Sequence, residues 1–157
     1  MADDADRAYV AGLRMLGRRE LCEAQIRFRL ARKTFEAEAI DAAIRRLTRE
    51  RALDDRRTAL ACARTEVRLK HRGRLRVVRQ LEKIGIRQDV ARAAVAEVFS
   101  ELDENVLVEQ ALERRLRRGI SLQEAADRLR VHRYLLAQGF DAGRVSAVLR
   151  RRAKSDL

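Results

Sequence analysis

One pattern of apolar residues occurs three times along the chain, at a spacing of about 50 residues. Phe35, Ile86 and Phe140 mark equivalent positions, separated by 51 and 54 residues. Apolar residues stand nine and five positions before each of these anchors, and five and nine positions after it. Because residues four apart share one helix face, each copy predicts two amphipathic helices joined by a turn at the anchor. The flanking positions hold Ile26, Leu30, Ile40 and Ile44, then Val77, Leu81, Ala91 and Val95, then Val131, Leu135, Val145 and Leu149.

The turn itself carries glycine in two of the three copies. Gly85 and Gly139 each stand one residue before the anchor, where a left-handed residue commonly ends a helix. Thr34 holds this position in the first copy, and a residue with a branched side chain adopts that conformation at a cost. We therefore expect the first turn to differ from the other two.

A third amphipathic stretch precedes each pair of helices, at 8–16, 54–70 and 105–118. Each copy therefore predicts three helices, and the absence of proline in the chain agrees with a helical fold. Three short helices bury too little apolar surface to be stable alone, so neighbouring copies must support one another. We predict an all-α fold, an elongated and curved array of three tandem three-helix repeats with boundaries at 7–51, 52–102 and 103–153.

Several polar residues stand where helices are predicted to begin. Ser121, with Glu124 three residues later, matches a capping box. The acidic residues at the other predicted starts suit caps or first-turn positions, because the free backbone N–H groups there attract negative charge. These acidic residues are Asp54, Asp55, Asp103 and Asp141.

The chain lacks the residue clusters that catalysis or a bound metal ion requires. Its two histidines, His71 and His132, stand 61 residues apart and complete no motif. The adjacent Asp54 and Asp55 lack a third ligand, so helix capping explains them better than magnesium binding. No glycine-rich phosphate loop is present. We expect a non-enzymatic protein without cofactor or metal, in which the two cysteines, Cys22 and Cys62, are reduced thiols.

Neither a membrane span nor an export signal is evident. The longest segment without a charged residue is 134–140, far below the roughly 20 apolar residues that a spanning helix needs. The first six residues include three aspartates and no apolar signal core. We expect a cytoplasmic protein that does not bind membranes.

Charge is the strongest indication of function. The chain carries 36 basic and 24 acidic residues, a net charge of +12, which favours a polyanion or an acidic protein as partner. The segment 64–79 holds seven cations and one acid, Glu66, and its arginines recur at helical spacing. The alternative is a solvated face whose cations pair with acids four residues away, such as Glu113 with Arg117. The predicted contact residues are Arg57, Arg64, Arg68, Lys70, Arg72, Arg74, Arg76, Arg79 and Lys83, with a second group at Arg114, Arg115, Arg117 and Arg118.

With six aromatic residues in the chain, and none within the basic segment, stacking on bases is expected to be weak there. Contacts to DNA phosphates without sequence preference are the expected mode.

Residues that resemble a known family extend over most of the chain in a fixed order. They are Tyr9, Leu16, Arg18 and Arg19, then Leu53, Asp54 and Asp55, then Gly73, Val77, Leu81, Lys83, Gly85 and Ile86, and finally the segment 134–140. On these residues the chain resembles the RecX family, regulators of the RecA recombinase that are built from tandem three-helix repeats. It departs from the family pattern at Arg51, where glycine is usual, and at Thr58, where an aromatic residue is usual.

The resemblance implies a non-enzymatic protein that binds RecA, free or as a filament on DNA, and we expect the chain itself to be a monomer. The resemblance also implies that the protein restrains strand exchange, ATP hydrolysis and co-protease activity in DNA repair, homologous recombination and the SOS response. An alternative from another class is a stand-alone helix-turn-helix regulator that reads DNA sequence. Against this alternative, the third helices are predicted to begin with acidic residues, Glu36, Asp89 and Asp141, which repel phosphates.

Overall fold

The structure is a computed structural model that describes residues 2–155. Over this range the chain forms nine α-helices and no strand, which confirms the predicted all-α class. Each of the three predicted copies contributes three of the helices. They are α1 (Ala2–Leu16), α2 (Glu23–Arg32), α3 (Ala37–Arg49), α4 (Asp55–Lys70), α5 (Arg74–Lys83), α6 (Gln88–Ser100), α7 (Glu104–Leu116), α8 (Ala125–Ala137) and α9 (Ala142–Ser155).

Tertiary contacts group the chain into two compact units. The first unit comprises Met1–Ala61 and Leu81–Ala94, and the second comprises Cys62–Gln80 and Val95–Leu157. In the first unit α1, α2 and α3 contact one another in pairs. In the second unit α7, α8 and α9 do the same. The boundaries of the three copies stay a prediction.

The apolar stripes form the buried surfaces, as their spacing predicts. In the first unit, Ile26 and Leu30 of α2 pack with Ile40, Ile44 and Leu47 of α3 in one core cluster. Burial of each such side chain contributes about 1.5–3 kcal/mol to the stability of the unit. Of the fifteen repeated apolar positions, all but the partly exposed Phe35 and Leu149 are buried. The repeat pattern is therefore confirmed as a packing pattern.

The three turns are alike, so the expectation that Thr34 changes the first turn was wrong. Thr34 adopts a left-handed φ of 64°, and Gly85 and Gly139 have φ values of 104° and 96°. The following anchor donates the same backbone hydrogen bond in each copy, from Phe35 N to Leu30 O in the first. The Thr34 hydroxyl donates to the Lys33 carbonyl at 2.6 Å, a local bond that helps a side chain occupy this conformation.

Acidic caps occur at three of the predicted helix starts. Carboxylate oxygens of Asp54, Asp103 and Asp141 accept hydrogen bonds from the N–H groups of Arg57 (3.1 Å), Asn105 (2.8 Å) and Arg144 (3.0 Å), respectively. These bonds satisfy donors that a helix start leaves free, as predicted.

The capping box predicted at Ser121 was wrong. The eighth helix begins at Ala125, preceded by Glu124. Ser121 Oγ instead accepts from the Gln123 N–H at 3.2 Å, a local turn that competes with the start of a helix.

The two departures from the family pattern are both accommodated locally. Arg51 adopts a left-handed φ of 58°, so it takes the conformation that glycine would supply. Thr58 is buried, and its hydroxyl lies 3.1 Å from both Glu20 Oε2 and the Asp54 carbonyl. A hydrogen-bonded hydroxyl therefore occupies the place of an apolar ring.

An equivalent contact between successive copies occurs once in each unit. In the first unit the Cys22 thiol donates to the Ile84 carbonyl, with a sulfur to oxygen distance of 3.1 Å. In the second unit the Gly73 N–H donates to the Gln138 carbonyl at 2.7 Å. Cys22 and Gly73 both lie 13 residues before their anchors, and the two carbonyls lie two residues before theirs. Residues at equivalent positions of the repeat thus form equivalent contacts between successive copies, and each of these two places is called a junction below.

Cys22 and Cys62 are both reduced cysteines outside any disulfide, as predicted.

Candidate polyanion-binding surface

The thirteen predicted contact residues divide between the two units. Arg57 and Lys83 belong to the first unit, and the other eleven belong to the second. The structure separates these residues by another criterion as well, because some are held by acceptors of the fold and others extend into solvent unpaired. A cation already paired with a carboxylate has less charge to offer a partner.

Arg57 serves the fold of the first unit. Its guanidinium donates to Glu20 Oε1 at 3.0 Å and to the carbonyls of Arg51 and Ala52, each at 3.1 Å. These bonds tie the start of α4 to the segment directly before it and to Glu20, which lies between α1 and α2. Arg57 is therefore a structural residue, although its charge and spacing match the basic segment.

Glu66 neutralises two of the seven cations in the basic segment. Its side chain is 4% exposed, and Lys70 Nζ lies 2.7 Å from Glu66 Oε1. The Arg72 guanidinium donates to the other carboxylate oxygen. A buried carboxylate needs such partners, because an unpaired charge away from water is costly. Lys70 and Arg72 thus compensate Glu66 as the chain leaves α4.

Two further cations at the start of α5 are held by neighbouring elements. Arg74 Nη2 lies 2.7 Å from Glu104 Oε1, at the start of α7. Arg76 Nη1 donates to the Gln138 side-chain oxygen at 3.1 Å. Both residues therefore fix the packing of α5 within the second unit.

The second predicted group is likewise divided. Arg114 donates to the Leu69 carbonyl at 3.2 Å, and Arg115 lies over the Tyr134 ring at 4.9 Å from its centroid. Arg117 and Arg118 are exposed at the end of α7.

Six of the thirteen residues are exposed and show no ion pair within residues 2–155. In the second unit these include Arg64 and Arg68, which are four residues apart and share one face of α4. Arg79 of α5 is likewise exposed and shows no ion pair within residues 2–155. The remaining three are Lys83, Arg117 and Arg118. Of the original set, these are the cations available to a partner.

Two exposed leucines that were not predicted from the sequence lie on the same two helices as Arg64, Arg68 and Arg79. Leu69 is 70% exposed beside Arg68, and Leu75 is 57% exposed beside Arg74. Both lie outside the repeated stripe, which is the signal that would have placed them on the surface. Exposed apolar side chains among cations are typical of a protein-binding surface more than of pure phosphate contacts.

A groove of about 700 Å³ lies in the second unit next to this region. His71 lines it, and burial, with the nearby charge of Arg114, lowers the pKa of His71 below its usual value. The groove also holds Glu109 and Glu113, which pair with Arg152. Two of its four arginines, Arg151 and Arg152, are thus paired with carboxylates. Within residues 2–155 no group of three histidine, cysteine or acidic side chains is placed to hold a metal ion.

None of the helices described is long and apolar enough to cross a membrane.

Comparison with known proteins identifies relatives over nearly the whole chain. Residues 8–47 match the family model described as the first three-helix domain of RecX. The regulatory protein RecX of Pelodictyon phaeoclathratiforme is 30% identical over 148 residues, covering 94% of this chain and 90% of that protein. The regulatory protein RecX of Geobacillus kaustophilus is 29% identical over 149 residues, covering 94% of this chain and 55% of that longer protein.

The fold also has a solved counterpart. The crystal structure of RecX from Lactobacillus salivarius matches with a TM-score of 0.83 at 19% sequence identity, covering 96% of this chain and 97% of that one. At this level of identity the match concerns the fold.

Proposed function

The chain belongs to the RecX family, and from this premise we propose that it binds the RecA recombinase on DNA and restrains its strand exchange, ATP hydrolysis and co-protease activity. In this proposal the protein acts as a non-enzymatic regulator. Its contacts with DNA are to phosphates and carry no sequence preference.

The observation that supports this proposal most directly is the unpaired part of the basic segment. Arg64, Arg68 and Arg79 are exposed without ion pairs within residues 2–155, while Leu69 and Leu75 present apolar surface on the same two helices. Cations attract an acidic partner and speed association, and apolar side chains supply contact area once the partner is bound. A surface that combines the two suits a protein polymer bound to DNA.

A filament presents the same surface many times, so a second contact formed by one chain is effectively intramolecular. Modest affinity at each cation therefore suffices for tight binding overall.

The structure favours this proposal over a sequence-reading DNA regulator. The third helix of the last copy, α9, begins with the Asp141 carboxylate bound to the Arg144 N–H at 3.0 Å. In α6, Asp89 forms a two-bond ion pair with Arg87. A recognition helix would present unpaired donors to base edges at this position.

Charge reversal tests the proposal. The triple variant Arg64→Glu, Arg68→Glu, Arg79→Glu should weaken binding to RecA filaments on oligo(dT) at least about tenfold at 0.1 M salt, because three attractions become repulsions. The dependence of log Kd on log salt should become shallower by about two to three. Biolayer interferometry with immobilised filaments measures both quantities.

The matched control applies the same charge change to Arg45, Arg49 and Arg92, three exposed arginines of α3 and α6. This control should stay within about threefold of the wild type, since its residues lie outside the proposed surface. Equal losses in the two triple variants would show that only the net charge matters, and would contradict the assignment.

A further inference from the structure

A second basic surface lies in the first unit, at a groove between the end of α1 and the outer face of α2. The groove measures about 660 Å³. Every charged residue that lines it is a cation, and none of the four belongs to the predicted contact set. The lining residues are Met15, Arg18, Gln25, Phe28, Arg29, Arg32 and Lys33.

These cations differ from their neighbours because the fold does not pair them. Arg27 of α2 binds Glu23 and Asp41, and Arg46 of α3 binds Asp6 and Glu50. By contrast, no ion pair to a cation of the groove occurs within residues 2–155. These cations are Arg18, Arg29, Arg32 and Lys33, and all of them are exposed. Their positive charge is therefore uncompensated and faces one concave surface.

The groove also exposes an aromatic ring. Phe28 is 62% exposed, whereas Phe99 and Phe140 are each 3% exposed. The exposure of Phe28 follows from the helical periodicity of α2, because Ile26 and Leu30 lie in the core and residue 28, between them, points away from it. The Arg32 guanidinium carbon lies 5.9 Å from the centre of the Phe28 ring.

The other copies show that the ring is not required by the repeat. The equivalent positions, seven residues before the anchor, hold Arg79 and Arg133, and both are exposed. The first copy thus has an aromatic ring where the other two copies have an arginine, and cations surround that ring. This combination matches single-stranded nucleic acid, in which unpaired bases stack on aromatic rings and phosphates bind cations.

We propose that this groove binds single-stranded nucleic acid, with a base stacked on Phe28 and the flanking phosphates bound by Arg18, Arg29, Arg32 and Lys33. A duplex fits less well, since its bases already stack on one another and offer the ring no free face. An acidic peptide would use the cations but would gain little from the ring. The proposal concerns free single strands and does not depend on RecA.

The absence of tryptophan from the chain allows a reporter at this position. Phe28→Trp introduces one indole, whose fluorescence should fall when a 15-residue oligo(dT) is added, because a stacked thymine quenches it. A duplex of the same length should leave the emission nearly unchanged. The matched control is Leu129→Trp, at an exposed residue of α8 next to Arg128 and Arg130. Equal quenching in the control, or no quenching in Phe28→Trp, would overturn the proposal.

Affinity provides the second measurement. Fluorescence anisotropy with labelled oligo(dT) should show about tenfold weaker binding for Phe28→Ala, the loss of one stacked base. Phe28→Tyr should stay within about twofold of the wild type, since it keeps the ring. Binding to the duplex should not change in either variant. Circular dichroism should show unchanged folding, because the ring is exposed.

Three results would contradict the proposal. The first is that Phe28→Ala binds oligo(dT) with the affinity of the wild type. The second is that this variant loses affinity for single strand and duplex equally. The third is that poly-glutamate competes as well as unlabelled oligo(dT), which would identify an acidic protein as the occupant.

Discussion

The two junctions between successive copies occupy the same place in the repeat but use different chemistry. At the start of α2, Gln25 Oε1 accepts from the Cys22 N–H at 3.0 Å, and the Asp55 carboxylate accepts from the Glu23 N–H at 2.8 Å. At the start of α5, turn carbonyls of the following copy accept instead. The Gly73 N–H donates to Gln138 at 2.7 Å, and the Leu75 N–H donates to Gly139 at 3.2 Å.

This difference separates what the backbone requires from what the side chains provide. Every helix start has free N–H groups that need acceptors. The first junction supplies them from side chains, one of which can titrate, and the second supplies them from the backbone. The first junction should therefore respond to side-chain identity and pH, while the second should respond to how closely two backbones approach.

The turn residue before each anchor shows the same distinction between backbone and side chain. Thr34 holds a left-handed φ of 64° at the equivalent position, so the turn by itself does not exclude a side chain. At the two junctions, a neighbouring atom opposes a side chain in addition to the backbone conformation. A Cβ on Gly85 would lie 2.4 Å from Ala24 Cβ, and a Cβ on Gly139 would lie 2.4 Å from the Arg76 backbone nitrogen.

Replacing these glycines should give the largest loss of stability. Gly139→Ala should lower the free energy of unfolding by about 3 kcal/mol or more, since the left-handed backbone and the contact with Arg76 N both oppose a methyl group. Gly85→Ala should cost about 2 kcal/mol or more, because the opposing atom is a side-chain methyl. Urea titration followed by circular dichroism measures both.

Second substitutions sharpen the comparison. Ala24→Gly removes the opposing methyl and should recover about 1 kcal/mol or more of the loss in Gly85→Ala. Arg76→Gly keeps its backbone nitrogen and should recover little of the loss in Gly139→Ala. Equal rescue at the two junctions would show that backbone approach does not distinguish them.

The side-chain cap of the first junction should have a smaller effect. Asp55→Ala should cost about 1 kcal/mol, because it removes the acceptor of the Glu23 N–H. Asp55→Asn keeps an oxygen there and should stay within about 0.5 kcal/mol of the wild type near neutral pH. Urea titration of both variants tests this, and an equal loss in the two would show that the carboxylate charge, not the acceptor, matters.

The same residue gives the first junction a pH dependence. Burial raises the pKa of Asp55 above its usual value of 3.8, so the folded chain holds this proton more tightly than the unfolded chain does. As pH rises from 3.8 through the raised pKa, the wild type should lose stability relative to Asp55→Asn, and above that range the difference should be constant. A difference that changes in the opposite direction would contradict the assigned burial effect.

The sequence predicts those parts of the fold that depend on local periodicity. The spacing of Ile26, Leu30 and their equivalents gives the buried faces, and the acidic caps at Asp54, Asp103 and Asp141 follow from position alone. The cap on Glu23 could not be predicted, since its acceptor, Asp55, lies 32 residues further along the chain. Contacts between distant segments have no periodic signature.

The positive charge of the candidate surface was predicted from the sequence, but not which of its cations are exposed and unpaired. The sequence shows one acid in the basic segment, Glu66, but not that this acid is buried and paired with Lys70 and Arg72. Which cations are paired depends on tertiary packing. The groove around Phe28 was not predicted, because it lies outside the segment of highest charge density, although an aromatic ring between two residues of the apolar stripe already indicates an exposed position.

The measurement that tests the proposed function most directly is the rate of RecA ATP hydrolysis on single-stranded DNA with increasing amounts of this protein. The wild type should lower the rate in a concentration-dependent way. The triple variant of Arg64, Arg68 and Arg79 should need at least about ten times more protein for the same effect, while the matched control should act as the wild type does. An unchanged rate at saturating wild-type protein, or equal potency of the triple variant, would contradict the account.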